Sequence, residues 1–430
     1  MKKIEYRDRN FYNKLKKHLS KRNQDTNQEI DISVKKILKQ AQDFGDDALL
    51  KYTKKFDNFD LKINEILLSK KIKSSYKNKI DLKILDNFKH AIENVTKFHK
   101  EQIPKNYELK AYGSKLQSRW KAIESVGLYI PGGIAAYPSS LIMNVVPAKV
   151  AGVKRIVCTI PPSKLINPYI LALFDELGVE EVYQIGGAQA IAALAYGTES
   201  VQKVDKIVGP GNIYVTSAKK EVFGEVGIEG MIAGPSEVTV VGDKYSNPEW
   251  VASDLIGQAE HDELAQCILI TKSYALLNKV NKCLTAQLKN LPRSKTAKKS
   301  LSRNGILIKV NTDKDIISIV NKIAPEHLEL NIKNHKKISN KIINAGSVCL
   351  GKYSVMAMTD YNIGSNHILP TNSSSRFSSG VSVNDFYKRI SYINLSKKGI
   401  ETLGPSVITL ANYEGLVGHA ESVKLRIRRK

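Results

Sequence analysis

Short apolar runs, each closed by glycine or proline, recur along the chain from about residue 124. Four of them are "SVGLYIPGG", "VKRIVCTIPP", "VEEVYQIGG" and "VDKIVGPGN". Between them lie segments in which apolar residues follow the helical period, such as "NPYILALFDELG" and "AQAIAALAYG". Short strands that alternate with helices predict a parallel sheet with helices on both faces.

A second series of apolar runs, with longer and less even spacing, follows the first. It comprises "EVTVVGD", "AQCILIT", "NGILIKV" and "AGSVCLG". The chain is therefore predicted to be an α/β protein with two successive Rossmann-like parallel-sheet units, both incomplete, of roughly four strands each.

Both ends of the chain follow a helical pattern. Residues 1–110 are charged and carry apolar residues at near-helical spacing. After about residue 381, the segments "VNDFYKRISYINLS" and "PSVITLANYEGLVGHAESVKLRI" also predict helix. This C-terminal piece is too small to bury a core of its own, so we expect it to pack on another domain or another subunit.

The composition is typical of a soluble globular protein with more than one domain. The chain has 430 residues, of which 42% are hydrophobic and 25% are charged. Its net charge of +24 is compatible with an anionic partner such as nucleic acid. The lysines are scattered, however, and the one dense basic run is "VKLRIRRK" at the C-terminus. We therefore favour a lysine-rich surface over a nucleic-acid site.

Neither a membrane segment nor a cysteine-based site is predicted. No uninterrupted apolar stretch is long enough to span a bilayer, and residues 1–20 lack the apolar centre of a secretory signal. The cysteines form no CxxC pair, and three of the four lie in or beside apolar runs, which predicts buried thiols. We therefore expect a cytoplasmic protein.

Three glycine turns follow predicted strands, at the carboxyl ends where open α/β sheets bind ligands. They are "YIPGG", "QIGGAQA" and "VGPGN", and "AGPSEVTV" adds a turn in which Ser236 precedes a strand. Glycine lets the backbone approach a phosphate, and the first N–H groups of a following helix bind it. None of the turns has the GxGxxG pattern, so a nucleotide site and ordinary turn chemistry are equally open.

Two Glu-His pairs occur in a chain with only 8 histidines. In "SNPEWVASDLIGQAEHDELAQ", which predicts a helix, Gln258 and His261 share one face and suit either two metal ligands or a polar surface. In "APEHLEL", Pro325 disfavours helix before it, so Glu326 and His327 are expected at a turn. A carboxylate beside an imidazole is a natural acid–base pair, and a surface dipeptide is the alternative.

Two further clusters pair histidine with an acidic residue. "MAMTDYNIGSNHILPTN" contains Asp360 and His367, and "YEGLVGHAES" contains Glu414 and His419. A set of imidazole, carboxylate and amide groups suits Zn²⁺ or a similar divalent ion. Glu414 and His419 are five positions apart, so both could not point the same way on one ideal helix.

The ordered motifs of the chain resemble those of the histidinol dehydrogenase family. They are "GLYIPGG", "IGGAQAIAALAYGT", "DKIVGPGN", "IAGPSE", "GQAEHD", "APEHLEL", "TDYNIGSNHILPT" and "YEGLVGHA", and the resemblance extends from about residue 25 to about residue 425. It implies the last steps of histidine biosynthesis: a four-electron oxidation of L-histidinol to L-histidine, through L-histidinal, with two NAD⁺ and one Zn²⁺ per active site.

The resemblance also implies a role for individual residues. His327 would accept the hydroxyl proton of the alcohol, and Glu326 would activate water at the aldehyde. The implied zinc ligands are Gln258, His261, Asp360 and His419, the last of which would come from the other subunit of a homodimer with shared sites. The implied NAD⁺ contacts are Tyr129, Gln189 and Asn212. The implied substrate contacts are Ser236, Gln258, His261, Glu326, His327, Asp360, Glu414 and His419, with His367 as a further candidate.

We expect four parts in the chain. Residues 1–24 would form an N-terminal helical arm, and residues 381–430 a helical tail that packs on the partner subunit. Residues 25–125 together with 236–380 would form a first α/β domain that carries the catalytic and metal residues. Residues 126–235 would form a second α/β domain that carries the NAD⁺ site.

Other functions would use the same residues differently. A zinc- and NAD-dependent dehydrogenase of another amino alcohol keeps every role and changes only the substrate. A zinc hydrolase in which Glu326 activates water, and a basic nucleic-acid-binding protein, are weaker alternatives. A cysteine nucleophile for the aldehyde step is not expected, because no cysteine lies in a site motif.

Overall fold

The computed structural model describes residues 1–6, 8, 10–20, 28–131, 138–229 and 234–427. The glycines of "YIPGG", the first residues of "IAGPSE" and the end of "VKLRIRRK" lie outside these residues. So do residues 21–24 of the predicted N-terminal arm.

The described strands and α-helices alternate along most of the chain. The strands are β1 (Lys2–Glu5), β2 (Tyr107–Ala111), β3 (Ser114–Ala122), β4 (Ser125–Tyr129), β5 (Arg155–Thr159), β6 (Glu181–Tyr183), β7 (Lys206–Val208), β8 (Gly227–Ile228), β9 (Glu237–Gly242), β10 (Gln266–Thr271), β11 (Ile306–Lys309), β12 (His327–Asn331), β13 (Ser347–Leu350) and β14 (Tyr387–Asn394). The helices are α1 (Phe11–Ser20), α2 (Gln28–Asp57), α3 (Lys70–Lys73), α4 (Leu82–Lys100), α5 (Pro138–Ala151), α6 (Pro168–Glu176), α7 (Gly187–Tyr196), α8 (Ile213–Glu221), α9 (Pro248–Ala259), α10 (Tyr274–Gln287), α11 (Ser294–Arg303), α12 (Asp313–Ile323), α13 (His335–Ser339), α14 (Met356–Tyr361), α15 (Lys397–Tyr413) and α16 (Val417–Ile427).

The first series of apolar runs forms a parallel sheet with the strand order β6-β5-β4-β7-β8. Successive side chains of each strand point to opposite faces, so Val157 and Cys158 of β5 belong to two separate cores. Helices α2, α7 and α8 cover one face, and α4, α5 and α6 cover the other. The predicted doubly covered parallel sheet is confirmed, with one more strand than the sequence pattern indicated.

The second series forms a six-stranded parallel sheet with the order β1-β11-β10-β9-β12-β13. All four predicted runs are strands, and "HLELN" adds β12 between β9 and β13. Helices α9, α10 and α11 pack on one face, while α1 and α12 pack on the other. The predicted α/β fold class with two parallel sheets is therefore confirmed.

The helical prediction for residues 1–110 is wrong at two places. Residues Lys2–Glu5 form β1, which pairs in parallel with β11, and Tyr107–Ala111 form β2. Only Ile4 of β1 is buried, so the local pattern carries no alternation of buried and exposed positions that would predict a strand. Pairing with a distant strand decides the structure at this point.

The helical prediction for "VNDFYKRISYINLS" is also wrong. Residues Tyr387–Asn394 form β14, which pairs antiparallel with the whole of β3, from Tyr387 opposite Ala122 to Asn394 opposite Lys115. With β2 they make a small sheet in the order β14-β3-β2. Tyrosine and isoleucine favour strands, and the long partner strand supplies the backbone hydrogen bonds.

The C-terminal segment continues from β14 into two helices that pack on each other. Helix α15 ends at Tyr413 and α16 begins at Val417. Many apolar side chains of this pair are exposed, among them Leu410, Tyr413 and Leu425. This is the segment that the sequence predicts to pack on another domain or subunit.

The cysteines and the long helices complete the description of the fold. Cys158, Cys267 and Cys349 are buried free thiols on β5, β10 and β13, which confirms the prediction for these three. In the part of the chain that the structure describes, no helix is both long and apolar enough to cross a membrane.

Candidate active site

The residues predicted for catalysis lie at the amino-terminal edge of the six-stranded sheet. His327 is the first residue of β12, and Ser236 immediately precedes β9. Helix α9 follows β9 and runs back along the sheet, so its last turn brings Gln258 to the same edge. His261, expected on the same helix as Gln258, instead lies in the turn after α9, where its backbone N–H donates a hydrogen bond of 3.2 Å to the carbonyl oxygen of Gln258. Ligands of open α/β sheets usually bind at the opposite, carboxyl edge, so this placement could not be inferred from the fold class.

The turn that presents Glu326 and His327 is formed by the end of α12. Ala324, which follows α12, has left-handed backbone angles (φ 50°, ψ 61°), and Pro325 then prevents any continuation of the helix. The chain enters β12 directly at His327. The predicted turn is confirmed for Glu326, whereas His327, also expected at the turn, is already the first residue of the strand.

The carboxylate of Glu326 is buried and held in a fixed orientation. Its Oε2 accepts a hydrogen bond of 2.6 Å from the backbone N–H of Glu237 at the start of β9. Its Oε1 lies 3.9 Å from Nε2 of His327. The side chain of Glu326 therefore has one oxygen anchored to the sheet and one directed at the histidine.

His327 lies between two carboxyl groups without a direct hydrogen bond to either. Its Nε2 is 3.9 Å from Glu326 Oε1 and 3.8 Å from Asp360 Oδ1, both longer than a hydrogen bond. Burial lowers the pKa of His327 to about 3, with smaller effects from His367 and His261. The ring is therefore neutral near pH 7 and able to accept a proton.

Gln258 is nearly inaccessible and has unsatisfied polar atoms. Its side chain is 1% exposed, and neither its Oε1 nor its Nε2 has a hydrogen-bond partner within the protein. A buried amide without a partner costs roughly 1–3 kcal/mol, so it is usually matched to a ligand, an ion or water. Of the predicted zinc ligands, this side chain gives the clearest indication of a bound group.

The other two predicted ligands from this chain also suit a cation. Burial raises the pKa of Asp360 to about 7, because the carboxylate is removed from water without a compensating positive charge. Burial is also the main cause that lowers the pKa of His261, which keeps the ring available as a neutral ligand. Within the described residues no three His, Cys, Asp or Glu side chains form a metal cluster. The predicted zinc site would need only two residues of these types from one chain, His261 and Asp360, because Gln258 is an amide and His419 would come from the partner subunit.

His367 is fixed between Asp360 and the other sheet. Its Nδ1 donates a hydrogen bond of 2.7 Å to the backbone carbonyl of Asp360, so Nε2 of the neutral ring accepts from Ser140 Oγ at 3.2 Å. Burial lowers the pKa of His367 and favours this neutral form. Both ring nitrogens are thus occupied, and the contact we expected with substrate stays a prediction.

The structure does not bring Glu414 and His419 to the cluster. Glu414 follows the last residue of α15, His419 lies in the first turn of α16, and both side chains are exposed. The concern about their angular separation on one helix does not apply, because the helix is interrupted between them. Among the contacts of the described residues, neither side chain forms a hydrogen bond or ion pair with the residues described above.

The predicted NAD⁺ contacts lie at the carboxyl edge of the five-stranded sheet. The hydroxyl oxygen of Tyr129, the last residue of β4, accepts a hydrogen bond of 3.1 Å from the backbone N–H of Gly187. Gln189, in the first turn of α7, is 1% exposed, and both of its amide atoms lack a partner. Asn212 caps α8 by accepting from the backbone N–H groups of Tyr214 and Val215.

Glycine is required where two of these turns approach each other. Gly209 has a φ of +107°, and a Cβ at this position would lie 2.3 Å from the carbonyl oxygen of Tyr129. Only glycine combines this backbone conformation with so close an approach. The turns therefore make a compact edge at which the buried amide of Gln189 and the N-terminus of α7 are suitable for an anionic ligand.

The two edges meet. Ser140 lies in the first turn of α5, the helix that follows β4 at its carboxyl end, and it hydrogen-bonds to His367. The catalytic cluster at the amino edge of one sheet is thereby joined to the glycine turns at the carboxyl edge of the other.

Sequence reasoning missed a loop that supports the catalytic turn. Ser373 and Ser375 donate hydrogen bonds of 2.6 and 2.8 Å to the carbonyl oxygens of Ile323 and Ala324, at the end of α12. The backbone N–H of Asn372 donates to Glu237 Oε1 at 3.0 Å. The serine run carries no periodic signal, so only the three-dimensional structure reveals this role.

Known proteins resemble this chain over nearly its whole length. The histidinol dehydrogenase family model matches residues 20–427. Histidinol dehydrogenase of Pelagibacter ubique is 59% identical over 429 residues, with 99% of each chain covered. That of Mesorhizobium japonicum is 46% identical over 405 residues, with 94% of each chain covered. The crystal structure of histidinol dehydrogenase from Elizabethkingia anophelis has a TM-score of 0.93 at 36% identity, covering 99% of this chain and 98% of that chain.

Proposed function

The chain belongs to the histidinol dehydrogenase family, and we propose that it carries out the zinc-dependent, four-electron oxidation of L-histidinol to L-histidine, through L-histidinal, with two NAD⁺. Members of this family are oxidoreductases that act on histidinol in histidine biosynthesis. The observation that carries the finer proposal is the neutral, buried His327 between Glu326 and Asp360, beside the unsatisfied amide of Gln258.

The residues present fit a zinc ion. Gln258, His261 and Asp360, with His419 of the partner subunit, would supply the two imidazole nitrogens and two side-chain oxygens that Zn²⁺ accepts. When bound, the ion would fix the imidazole and amino nitrogens of the substrate, and the nicotinamide would accept hydride. The orphaned atoms of Gln258 are the observation that supports this fit.

His327 and Glu326 divide the proton transfers. In the first oxidation Nε2 of His327 takes the hydroxyl proton as the carbon loses hydride. Glu326 then takes a proton from a water molecule that adds to the aldehyde. His327 accepts the proton of the resulting hydrate in the second oxidation. Its low pKa keeps the ring in the unprotonated form at the start of both oxidations.

Burial keeps the aldehyde in the protein between the two oxidations. Glu326 is 6% exposed and His327 is 3% exposed. A closed site limits both the escape and the side reactions of a reactive aldehyde. The side chains of Ser236 and Glu414 of the shared site would contribute to substrate binding, with Glu414 facing the ammonium group.

The cofactor would bind at the glycine turns, against Tyr129, Gln189 and Asn212. The unpartnered amide of Gln189 supports this placement, because a nucleotide would supply the missing hydrogen bonds. The N-terminus of α7 offers free backbone N–H groups to a phosphate. The hydrogen bond between Ser140 and His367 links this edge to the catalytic cluster.

The protein would act as a homodimer with shared sites. The exposed apolar side chains of α15 and α16 need a covering surface, and a second copy of the chain would supply it. Cytoplasmic location and the absence of a nucleic-acid partner stay predictions. The predicted domain boundaries do so as well, although α2 and α4 of the segment 25–125 pack on the five-stranded sheet and not on the six-stranded one.

The test is the stoichiometry of the reaction. We expect two NADH per L-histidinol consumed, and loss of turnover after treatment with a chelator, restored by Zn²⁺. One NADH with release of aldehyde would contradict the four-electron proposal. Turnover of another amino alcohol but not of histidinol would favour the alternative dehydrogenase, and hydrolysis without nicotinamide would favour a zinc hydrolase.

A further inference from the structure

Two carboxyl groups lie beside the catalytic cluster and have no part in the proposed reaction. Asp254 lies on α9, four residues before Gln258, and Glu329 lies on β12, two residues after His327. Their side chains are hydrogen-bonded to each other. Two carboxyl groups can form such a bond only when one of them keeps its proton.

The pair also reaches a third element. Oε1 of Glu329 accepts a hydrogen bond of 2.7 Å from the backbone N–H of Met356, the first residue of α14. Helix α14 carries Asp360, while α9 carries Gln258 and β12 carries His327. The hydrogen bonds of one buried pair thus join the three elements that carry Gln258, His327 and Asp360.

The spacing of these residues places the pair one layer below the cluster. Asp254 and Gln258 are one helical turn apart on the same face of α9, a rise of about 6 Å. His327 and Glu329 point to the same face of β12 and are separated by about 7 Å. The Asp254–Glu329 contact therefore fixes α9 against β12 at the height from which Gln258 and His327 extend.

The environment of the pair makes it sensitive to loss of either partner. Glu329 is 1% exposed, and Oδ2 of Asp254 is also buried. Burial raises the pKa of both carboxyl groups. Removal of one group would leave the other without its hydrogen bond in a nearly dry environment, which is costly.

We propose that Asp254 and Glu329 are positioning residues, whose shared hydrogen bond sets the relative placement of the proposed zinc ligands Gln258 and Asp360 and of His327. The inference rests on the proposed function. Neither residue touches substrate or cofactor in this assignment. Supporting residues of metal sites typically change metal affinity or activity by about 10- to 100-fold when they are altered.

The decisive variant replaces both groups by apolar ones, Asp254→Leu with Glu329→Met. Removal of both carboxyl groups leaves neither of them buried without its partner, so we expect a folded protein whose melting temperature falls only through the loss of the hydrogen bond from Met356. Because the link to Met356 is lost, zinc affinity should fall by about 10- to 100-fold. Competitive chelator titration of the purified protein measures this affinity without reference to turnover.

Conservative variants separate positioning from bulk stability. In Glu329→Gln the amide nitrogen can donate to Asp254 and the amide oxygen can accept from Met356, so zinc affinity and kcat should stay within about threefold of wild type. Asp254→Asn should behave in the same way. Asp46→Asn is the matched control, because Asp46 is a buried carboxylate that hydrogen-bonds to Ser200 on another part of the chain.

The outcomes are distinct. If wild-type protein binds no zinc, the proposed function fails first. If it binds zinc and the double variant binds zinc equally well with unchanged kcat, the positioning role is wrong. It is also wrong if Glu329→Gln loses as much affinity as the double variant. The visible spectrum of the Co²⁺-substituted proteins gives a second readout, and a spectrum of the double variant identical to that of wild type would count against the proposal.

Discussion

Glutamate stands directly before histidine at two places, and the backbone around each pair gives it a different setting. His261 lies in the turn after α9, and its backbone N–H donates to the carbonyl oxygen of Gln258 in the last turn of that helix. His327 begins β12 after a left-handed residue and a proline, and it is buried between two carboxyl groups. The same dipeptide thus suits a metal ligand in one place and an acid–base pair in the other.

At this scale we predict the effect of His327→Asn. Asparagine cannot accept the hydroxyl proton, so kcat for both histidinol and histidinal should fall by about 10²- to 10⁴-fold. Zinc content should be unchanged, because His327 is not a proposed ligand. Steady-state NADH formation and metal analysis of the same preparation measure the two quantities. Near-normal histidinol oxidation by this variant would show that His327 is not the proton acceptor.

A second prediction concerns Glu326→Gln. The amide can still accept the hydrogen bond from Glu237, so the turn should keep its structure. It cannot take a proton from water, so the first NADH should form while the second is delayed. Single-turnover absorbance resolves the two phases. Equal loss on alcohol and aldehyde substrates would show that Glu326 and His327 do not divide the work as proposed.

Much of the site was accessible from residue patterns alone. The sequence around Gln258 predicted a helix, and Pro325 predicted a turn at Glu326, and both are confirmed, whereas His261 lies beyond the end of the helix on which it was expected. The residue patterns did not predict that these residues lie close together, because periodicity describes one element and not the contacts between elements. Their joint assignment came from the resemblance of the ordered motifs. Asp254 and Glu329 were overlooked, although each lies at the spacing that places it beside a site residue.

Among the elements, α12 controls how the chain enters the catalytic turn. Its start is stabilised by a capping box, in which Thr312 and Asp315 exchange hydrogen bonds with the backbone. Asp313 in the first turn accepts hydrogen bonds from Lys272 and from Asn334, each of 2.7 Å. Its end is the left-handed Ala324. Order at the start of α12 therefore supports the position of Glu326.

The charge at the start of α12 gives a pH-dependent prediction. The hydrogen bond from Lys272 is the main cause that lowers the pKa of Asp313 below its usual value. A depressed folded-state pKa contributes stability above the unfolded-state value of about 3.9, and the contribution is lost as the pH falls through the folded-state pKa. Asp313→Asn should therefore cost about 0.5 kcal/mol at pH 7, since the pair is partly exposed.

Urea unfolding at several pH values measures this difference. We expect the free energies of unfolding of wild type and Asp313→Asn to converge as the pH falls below the folded-state pKa of Asp313. Lys272→Gln should lose a similar amount at pH 7, because it removes the same pair. A difference that is constant from pH 7 to acid would show that the side-chain charge is not its cause.

Elements with a strong local pattern were predictable, and elements that depend on distant partners were not. The runs that became β4, β5, β9 and β10 are apolar and closed by turn residues, which is sufficient for a strand prediction. In β1 and β14 the local pattern is weak, and each is a strand because β11 or β3 is available to pair with it. Tertiary pairing overrides propensity in such cases.

For the molecule as a whole, we propose a site that lies between two sheets and is completed by the tail of a second subunit. The structure supports the first half of this statement through the contact of Ser140 with His367. The fold class was predictable from the succession of strands and helices. The sequence did not predict that the amino edge of one sheet would face the carboxyl edge of the other. Strand order gives no information on how two sheets face each other.

Mixed dimers test the shared site. We predict that His327→Asn and His419→Asn are each inactive alone, and that equal amounts, exchanged and reassembled, recover about a quarter of wild-type activity. Half of the random dimers are mixed, and each of these has one site with an unaltered body and an unaltered tail. Activity is measured before and after exchange of subunits.

The control is a mixture of His327→Asn with Glu326→Gln, both of which alter the body of the subunit. No site in that mixed dimer has an intact body, so exchange of subunits should add no activity to the residual activity of Glu326→Gln. If the tail completed the site of its own chain, the first mixture would stay inactive as well. Recovery of activity in the first mixture, but not in the control, requires that the tail of one subunit completes the site of the other.

The pairing of β1 with β11 also has a consequence for protein synthesis. Lys2–Glu5 are synthesised well before the strand against which they pair, which ends at Lys309. At typical translation rates the segment waits roughly 15–60 s without its partner. Its brevity and its two exposed lysines make it a poor template for strands of other nascent chains during that interval. The six-stranded sheet can therefore close its outer edge only after most of the polypeptide has emerged.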